Sequence, residues 1–421
     1  MPSFPIATAA DCPFPIENIP FGVFSTDGES PRAATIVGSH ILDLAFLEAQ
    51  GLFKAVLKTT TAVFAQPTLN AFARQPQDKR AAVRQVVIDL LSNGASPLFA
   101  NSQINAAAFH DSDKVHLHLP MDIPEFTDFS CFEEHVGNAC KMSGMPMLKN
   151  FYHSPIAYNG RVSSMVPSGT SIHRPKGMYK DESGQPKLLP SMQLDYELEL
   201  GILISNPVPY GQTITADQAH NHIFGYSIIN DWSARDIQSY ESIPAGPFNS
   251  KSFATSMAPW VIVPEALQWA KAAPLNQKDG EVQPHLRHES LADTIYDIDF
   301  NAYLGRAGAA PQKVSTTNLK HSYFSLGQML CHRASSGCGL RTAELVATGT
   351  ISSPENEWID KSVGHNASLW ELSWNGSKEV PVVGGQFIGD NDTVVFDGWA
   401  TGKNGKRIGF GSLETKVLPA V

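Results

Sequence analysis

The sequence contains no block of lysine or arginine. Its 31 basic residues are scattered among 41 acidic ones, and the formal net charge is −10. Phosphate-binding surfaces need clustered positive charge, so nucleic acid and anionic membrane are poor partners. No stretch approaches the roughly 20 apolar residues that a membrane-spanning helix requires. The opening residues, MPSFPIATAADCPFPIENIP, lack the cationic start and apolar run of a signal peptide. Cysteine is scarce: Cys12, Cys131, Cys140, Cys331 and Cys338 are odd in number, widely spaced and form no CxxC pair. That excludes the usual zinc and dithiol-redox spacings, and the expectation is reduced thiols in a cytoplasmic protein. Asn366-Ala367-Ser368 and Asn375-Gly376-Ser377 fit a glycosylation pattern that has meaning only in a secreted chain. Internal repeats, heptads and low-complexity tracts are also missing.

What is present is an ordinary globular composition, with 42% hydrophobic and 17% charged residues over 421 positions. Such a chain can bury a large core and divide into two or more domains. Residues 20–45 read as short strands broken by Asp27-Gly28 and Gly38, the pattern of a small barrel or roll. Residues 76–94 read as an amphipathic helix with Val83, Val86, Val87, Leu90 and Leu91 on one face. A domain boundary is placed near Leu119-Pro120. Beyond it, short strands dominate: MQLDYELELGILI, HIFGYSIIND, and two hairpins centred on Asn375-Gly376 and Asn404-Gly405. The fold class is therefore α+β and β-dominated.

Five segments could carry chemistry. In LDYELEL, strand periodicity sends Asp195, Glu197 and Glu199 to one face. Neighbouring carboxylates repel, so that face is either solvated or closed around a hard cation. In NDWSARDIQ, Asp231 stands at a strand-to-helix switch, and Ser233 with Asp236 forms a capping-box pattern. Asp128 precedes His135 by seven positions across an expected loop-to-helix junction. The run Ala347-Thr348-Gly349-Thr350 allows close backbone approach to a ligand, or is a plain turn. In SLWELSW, read as a strand, Glu371 is an acid on a mostly apolar face that requires a partner, such as a histidine.

Taken in order, TDF with its downstream histidine, YNGRVSSMVPSGT, LDYELEL, HIFGYSIINDWSARDIQ, GPFNSKSFATSMAPW, ATGTIS and LWELSW closely resemble the fumarylacetoacetase family. The resemblance extends from FPIENIPFGVFST to RIGFGSLETKVLPA, nearly the whole chain. It implies an SH3-like β-barrel domain over residues 1–119, a catalytic mixed β-roll over residues 120–421, and a homodimer. It also implies metal ligands at Asp128, Glu197, Glu199 and Asp231, with a lesser cation region near Asp231, Lys251 and Thr255. The catalytic base and its acidic partner fall on His135 and Glu371. Stabilisers of the oxyanion and leaving group fall on Arg235, Gln238 and Lys251, and substrate contacts on Tyr158 and Thr350. An all-carboxylate set suits Mg²⁺ or Ca²⁺ better than zinc. The implied reaction is hydrolysis of a carbon–carbon bond in a small β-dicarbonyl compound.

The sequence departs from the family where the substrate is gripped. A family tyrosine is replaced by Ser130, and another by Ser242. A family arginine that holds a substrate carboxylate falls on Ser143 or Gly144. Losing a bidentate arginine weakens recognition of a terminal carboxylate. The expectation is a bulkier or less acidic dicarbonyl from a specialised pathway. Decarboxylation, isomerisation or bond formation through a metal-bound enolate is the alternative chemistry, and a binding protein that has kept the fold is the non-enzymatic one.

Overall fold

A computed structural model describes residues 2–275, 277, 282–354 and 363–421. The N-terminal part is built on β1 (Phe21–Ser25), β2 (Arg32–Val37), β3 (His40–Asp43), β4 (Phe109–Asp111) and β5 (His116–Leu117), which form one antiparallel sheet in the order β4-β3-β2-β1-β5. Helix α1 (Gln77–Ser92) buries Val83, Val87, Leu90 and Leu91 as its periodicity predicts, while Val86 is only half-buried. This part is tied to the rest of the chain by backbone hydrogen bonds in both directions between Phe21 and Val261.

The second part contains β6 (Phe126–Ser130), α2 (Glu133–Met142), β7 (Ile156–Gly160), β8 (Met165–Pro167), β9 (Ile172–His173) and the hairpin β10 (Lys176–Lys180) to β11 (Pro186–Pro190). There follow β12 (Leu194–Asp195), β13 (Leu198–Ile204), β14 (Ile223–Asp231), β15 (Ser233–Ala234), α3 (Arg235–Glu241) and β16 (Thr255–Met257). Next are β17 (Lys271–Ala272), β18 (Ile295–Tyr296), β19 (Ile298–Gly305), β20 (Gln312–Asn318), α4 (Leu326–Ala334) and β21 (Leu345–Ala347). The chain ends with α5 (Leu369–Leu372), β22 (Thr393–Thr401) and β23 (Arg407–Leu418). A seven-stranded mixed sheet runs β7-β6-β21-β13-β14-β16-β8, and a five-stranded sheet runs β20-β19-β22-β23-β9. The β-dominated α+β class is what the structure shows. Every residue of β13 and β14 is buried, because both faces of these central strands are covered.

Several local expectations differ from what forms. MQLDYELELGILI is not one strand: the ladder breaks at Tyr196-Glu197, so that β12 pairs with β15 while β13 pairs with β14 and β21. SLWELSW is not a strand. Ser368 caps the short helix α5, and its side chain accepts from the Glu371 N–H. The Asn375-Gly376 hairpin is absent; Trp374, Asn375 and Gly376 all take positive φ in the turn that leaves α5. Alternating apolar residues in so short a run satisfy a helical turn as well as a strand, and the caps decide. The Ser233/Asp236 capping box does not form either. Ala234 is the N-cap of α3, and Asp236 instead accepts from Ser191 Oγ and the Met192 N–H. Asp128 lies on strand β6 rather than in a loop. The second hairpin does form: β22 and β23 pair through a turn over Lys403–Gly405, with Asn404 and Gly405 at positive φ.

Candidate active site

Four carboxylates converge where β6, β13 and β14 lie near one another in the large sheet. Asp128 comes from β6, Glu199 from β13, Asp231 from the end of β14, and Glu197 from the residue pair between β12 and β13. One oxygen of each lies within 4.8 Å of the others, and all four residues are buried. Among the described residues, Asp128 Oδ1 and both oxygens of Glu199 have no hydrogen-bond partner. Buried carboxylate oxygens without donors are costly, and an oxygen-seeking divalent cation supplies what is missing. Burial and the neighbouring acids push the Asp128 and Glu199 carboxyls well above their ordinary values. These residues therefore fit a divalent cation.

The cage is flanked by positive charge. Lys251 Nζ donates to Asp231 Oδ2 at 2.6 Å and also to Glu197. Burial opposes its charge, but Asp231 and Glu197 outweigh it and hold the ammonium above its usual range. An ammonium has no lone pair, so the Lys251 side chain balances charge rather than ligating. Thr255 Oγ1 reaches Asp231 Oδ1 at 3.4 Å, on the other side of that carboxylate. Burial would raise Glu197, but Lys251 and then Arg235 bring it down to about 2. Tyr158 stands opposite Asp128 in the β6–β7 register, and its hydroxyl donates to Asp231 Oδ2 at 2.5 Å.

His135 sits on the first turns of α2, just after β6. Its Nδ1 is 2.8 Å from Glu371 Oε2, and its Nε2 is 4.0 Å from Glu197 Oε1. A carboxylate only accepts, so Nδ1 carries the hydrogen and Nε2 is the nitrogen that faces the cage. Glu371 also accepts from Ser352 Oγ and Ser368 Oγ, both at 2.8 Å, and from the Asn138 and Asn366 amides at 3.0 and 3.3 Å. Burial acts to raise its carboxyl, but His135 and these donors overcome it and lower it. Sequence reasoning missed this cradle, although Asn138 lies three positions after His135 on one helix, a spacing that shares a face.

Arg235, the first residue of α3, donates through Nη2 to Glu197 Oε1 and Asp195 Oδ2, both at 2.7 Å, and through Nη1 to Gln238 Oε1 at 3.1 Å. Thr350 is buried, and its Oγ1 has no partner among the described residues. Gly349, at φ +79°, brings the backbone of this segment against the end of β6; a Cβ there would overlap the Phe129 carbonyl. The altered positions contribute less. The Ser242 hydroxyl is spent on the Gln238 carbonyl at 2.6 Å, Ser130 ends β6 half-buried, and Ser143 and Gly144 are exposed after α2. A line of Asp217, His288 and Ser325 elsewhere has the order of a nucleophilic triad. Its serine is fully buried and caps α4, so it is a helix cap.

A carboxylate cage beside an oriented histidine–glutamate pair, on a mixed β-sheet scaffold, defines the class: a metal-assisted enzyme of oxygen-rich small molecules. Within that class, the chain belongs to the fumarylacetoacetase family. Residues 17–120 match the model described as fumarylacetoacetase N-terminal, and residues 125–418 the one described as fumarylacetoacetate hydrolase C-terminal. The chain is 38% identical to the fumarylacetoacetase of Homo sapiens, with 99% of each chain covered. It is 37% identical to that of Dictyostelium discoideum, covering 99% of this chain and 97% of the other. The fold is shared with a solved fumarylacetoacetate hydrolase from Exiguobacterium antarcticum, at 17% identity and a TM-score of 0.52, covering 95% of this chain and 99% of that one.

Proposed function

We propose that the protein hydrolyses a carbon–carbon bond of a β-diketone of the fumarylacetoacetate type. The observation that carries this reading is His135: its Nδ1 is fixed by Glu371, while its Nε2 is turned toward Glu197 of the carboxylate cage at 4.0 Å. A divalent cation, when bound by Asp128, Glu197, Glu199 and Asp231, polarises the dicarbonyl oxygens and lowers the energy of an enolate. His135 Nε2 takes a proton from water, which attacks the carbonyl carbon, and Glu371 supports the resulting imidazolium. Arg235, Gln238 and Lys251 place donors where negative charge develops. The carbon–carbon bond then breaks, the carbanion leaves, and the imidazolium returns the proton to it. Tyr158 and Thr350 bound the substrate.

The oxygen-only donor set supports Mg²⁺ or Ca²⁺. Ser130, Ser242 and the Ser143-Gly144 stretch support a substrate less acidic than fumarylacetoacetate, drawn from a specialised pathway. Exposed apolar side chains at Met178, Leu188, Ile243 and Phe248 support a homodimer. Five free cysteines support the reducing cytoplasm. The division at residues 119 and 120 is our proposed domain boundary.

The test is turnover of fumarylacetoacetate and a series of acylpyruvates in ¹⁸O-labelled water with added Mg²⁺ or Ca²⁺. Label in the product acid is expected. Unlabelled product would move the protein to the decarboxylase, isomerase or bond-forming chemistry of the same enolate.

A further inference from the structure

We propose that Asp195 is a positioning residue that locks the oxyanion-side cation, Arg235, to the helix that carries Glu371, so that the two halves of the site hold one geometry. This rests on the reading of His135 as base and Arg235 as charge stabiliser. Asp195 lies in the same acidic run as Glu197 and Glu199 but is no part of the cage, because the strand breaks after it and its side chain points to α5. It is fully buried. Its Oδ2 accepts from Arg235 Nη2 at 2.7 Å, Arg235 Nε at 2.9 Å and the Trp370 N–H at 3.1 Å. Its Oδ1 accepts from the Leu369 N–H at 2.7 Å and the Tyr196 N–H at 2.8 Å. All five partners are donors, so both oxygens of the group act as acceptors.

Among the described residues, the geometry joins two elements, α3 and α5, that share no other side-chain hydrogen bond. The Leu369 and Trp370 amides open α5, whose next residue is Glu371, so the carboxylate fixes where Glu371 begins. The same carboxylate grips the fork of Arg235, which fixes the plane of the guanidinium. Trp370 completes the clamp. Its ring lies 5.0 Å from the Arg235 guanidinium carbon and 6.3 Å, edge-on, from the His135 ring. A small shift of Asp195 would therefore move the base and the anion stabiliser together, and misplacement of that kind costs catalysis more than binding.

The test compares wild type with Asp195→Asn by two readouts. The first is the low-field proton resonance of His135 Nδ1–H, assigned by its loss in His135→Ala and recorded without substrate. The second is the split of kcat from KM on acylpyruvate probes. The expected result is a shifted or exchange-broadened resonance, with kcat lower by about 100-fold and KM changed less than about threefold. An unchanged resonance in a folded Asp195→Asn protein would overturn the proposal. If Asp195→Asn does not fold, Asp195→Glu takes its place: it keeps the charge and displaces the carboxylate, so a shifted or broadened resonance supports transmission through Asp195 and an unchanged one refutes it. Because the resonance needs no turnover, inactivity on every dicarbonyl would refute the proposed function and leave this result standing.

Discussion

At the scale of single residues, the site is an exercise in compensating buried charge. Glu371 is a buried carboxylate that accepts from five side-chain donors. Glu371→Gln replaces an acceptor by an NH₂ group that must face donors. The expected outcome is a loss of about 1–3 kcal/mol of stability, read from the urea midpoint. A fall in kcat of about 100-fold or more should accompany it, because the His135 tautomer loses its anchor. Glu199 presents the reverse case, with two oxygens and no donor among the described residues. Glu199→Gln removes one like charge from a crowded cluster. The cation-free protein should keep or gain thermal stability, while calorimetry should show Mn²⁺ affinity reduced by tenfold or more. Equal affinity in the variant would remove Glu199 from the ligand set.

At the scale of elements, the site depends on how strand ends are held. The Thr348-Gly349-Thr350 segment, after β21, lies against the end of β6, which carries Asp128. Gly349 makes that approach possible in two ways, by positive φ and by having no Cβ to meet the Phe129 carbonyl. Gly349→Ala should cost about 1–3 kcal/mol in denaturant unfolding and reduce cation affinity, because β6 must shift. A neutral result would show that the two segments part without strain. The helix α5 makes the complementary point. It is four residues long, below what stands alone in water, so its caps at Ser368 and Asp195 maintain it.

At the scale of the whole molecule, folding stability is linked to cation and pH. Asp128 and Glu199 have folded-state carboxyls raised above their ordinary values, first by burial and then by neighbouring acids, Asp231 beside Asp128 and Asp128 beside Glu199. Protons then bind the folded cation-free state more tightly than the unfolded one. Their stabilising contribution is fully present below the ordinary carboxylate range and is lost as pH rises through the raised values. Chelator-treated protein should therefore lose thermal stability over that rise, and Mg²⁺ or Ca²⁺ should restore it. At a hundredfold excess over Kd the gain is about 2.7 kcal/mol. Loading the cation in weak buffer should release protons, measurable with a pH electrode. A melting temperature indifferent to chelator at neutral pH would contradict the cage as a cation site.

Much of this protein was readable along the chain. Strand spacing, the long helix over Gln77–Ser92 and the NG turn between β22 and β23 follow from local side-chain preferences, which act over a few residues. The motif blocks point to four carboxylates, His135, Glu371, Arg235 and Lys251, and the folded chain brings these side chains together. Local pattern failed where a partner distant in sequence decides the conformation. The acidic run breaks at Tyr196-Glu197 because Asp195 answers to Arg235 and to the amides of Leu369 and Trp370. SLWELSW becomes helical because Ser368 and Asp195 satisfy its first N–H groups. Sequence alone determined which side chains could perform the chemistry. Only the tertiary structure decided which acid holds a cation, which holds a histidine and which holds an arginine, because burial makes every carboxylate oxygen find a partner and the fold alone sets which partner lies within reach.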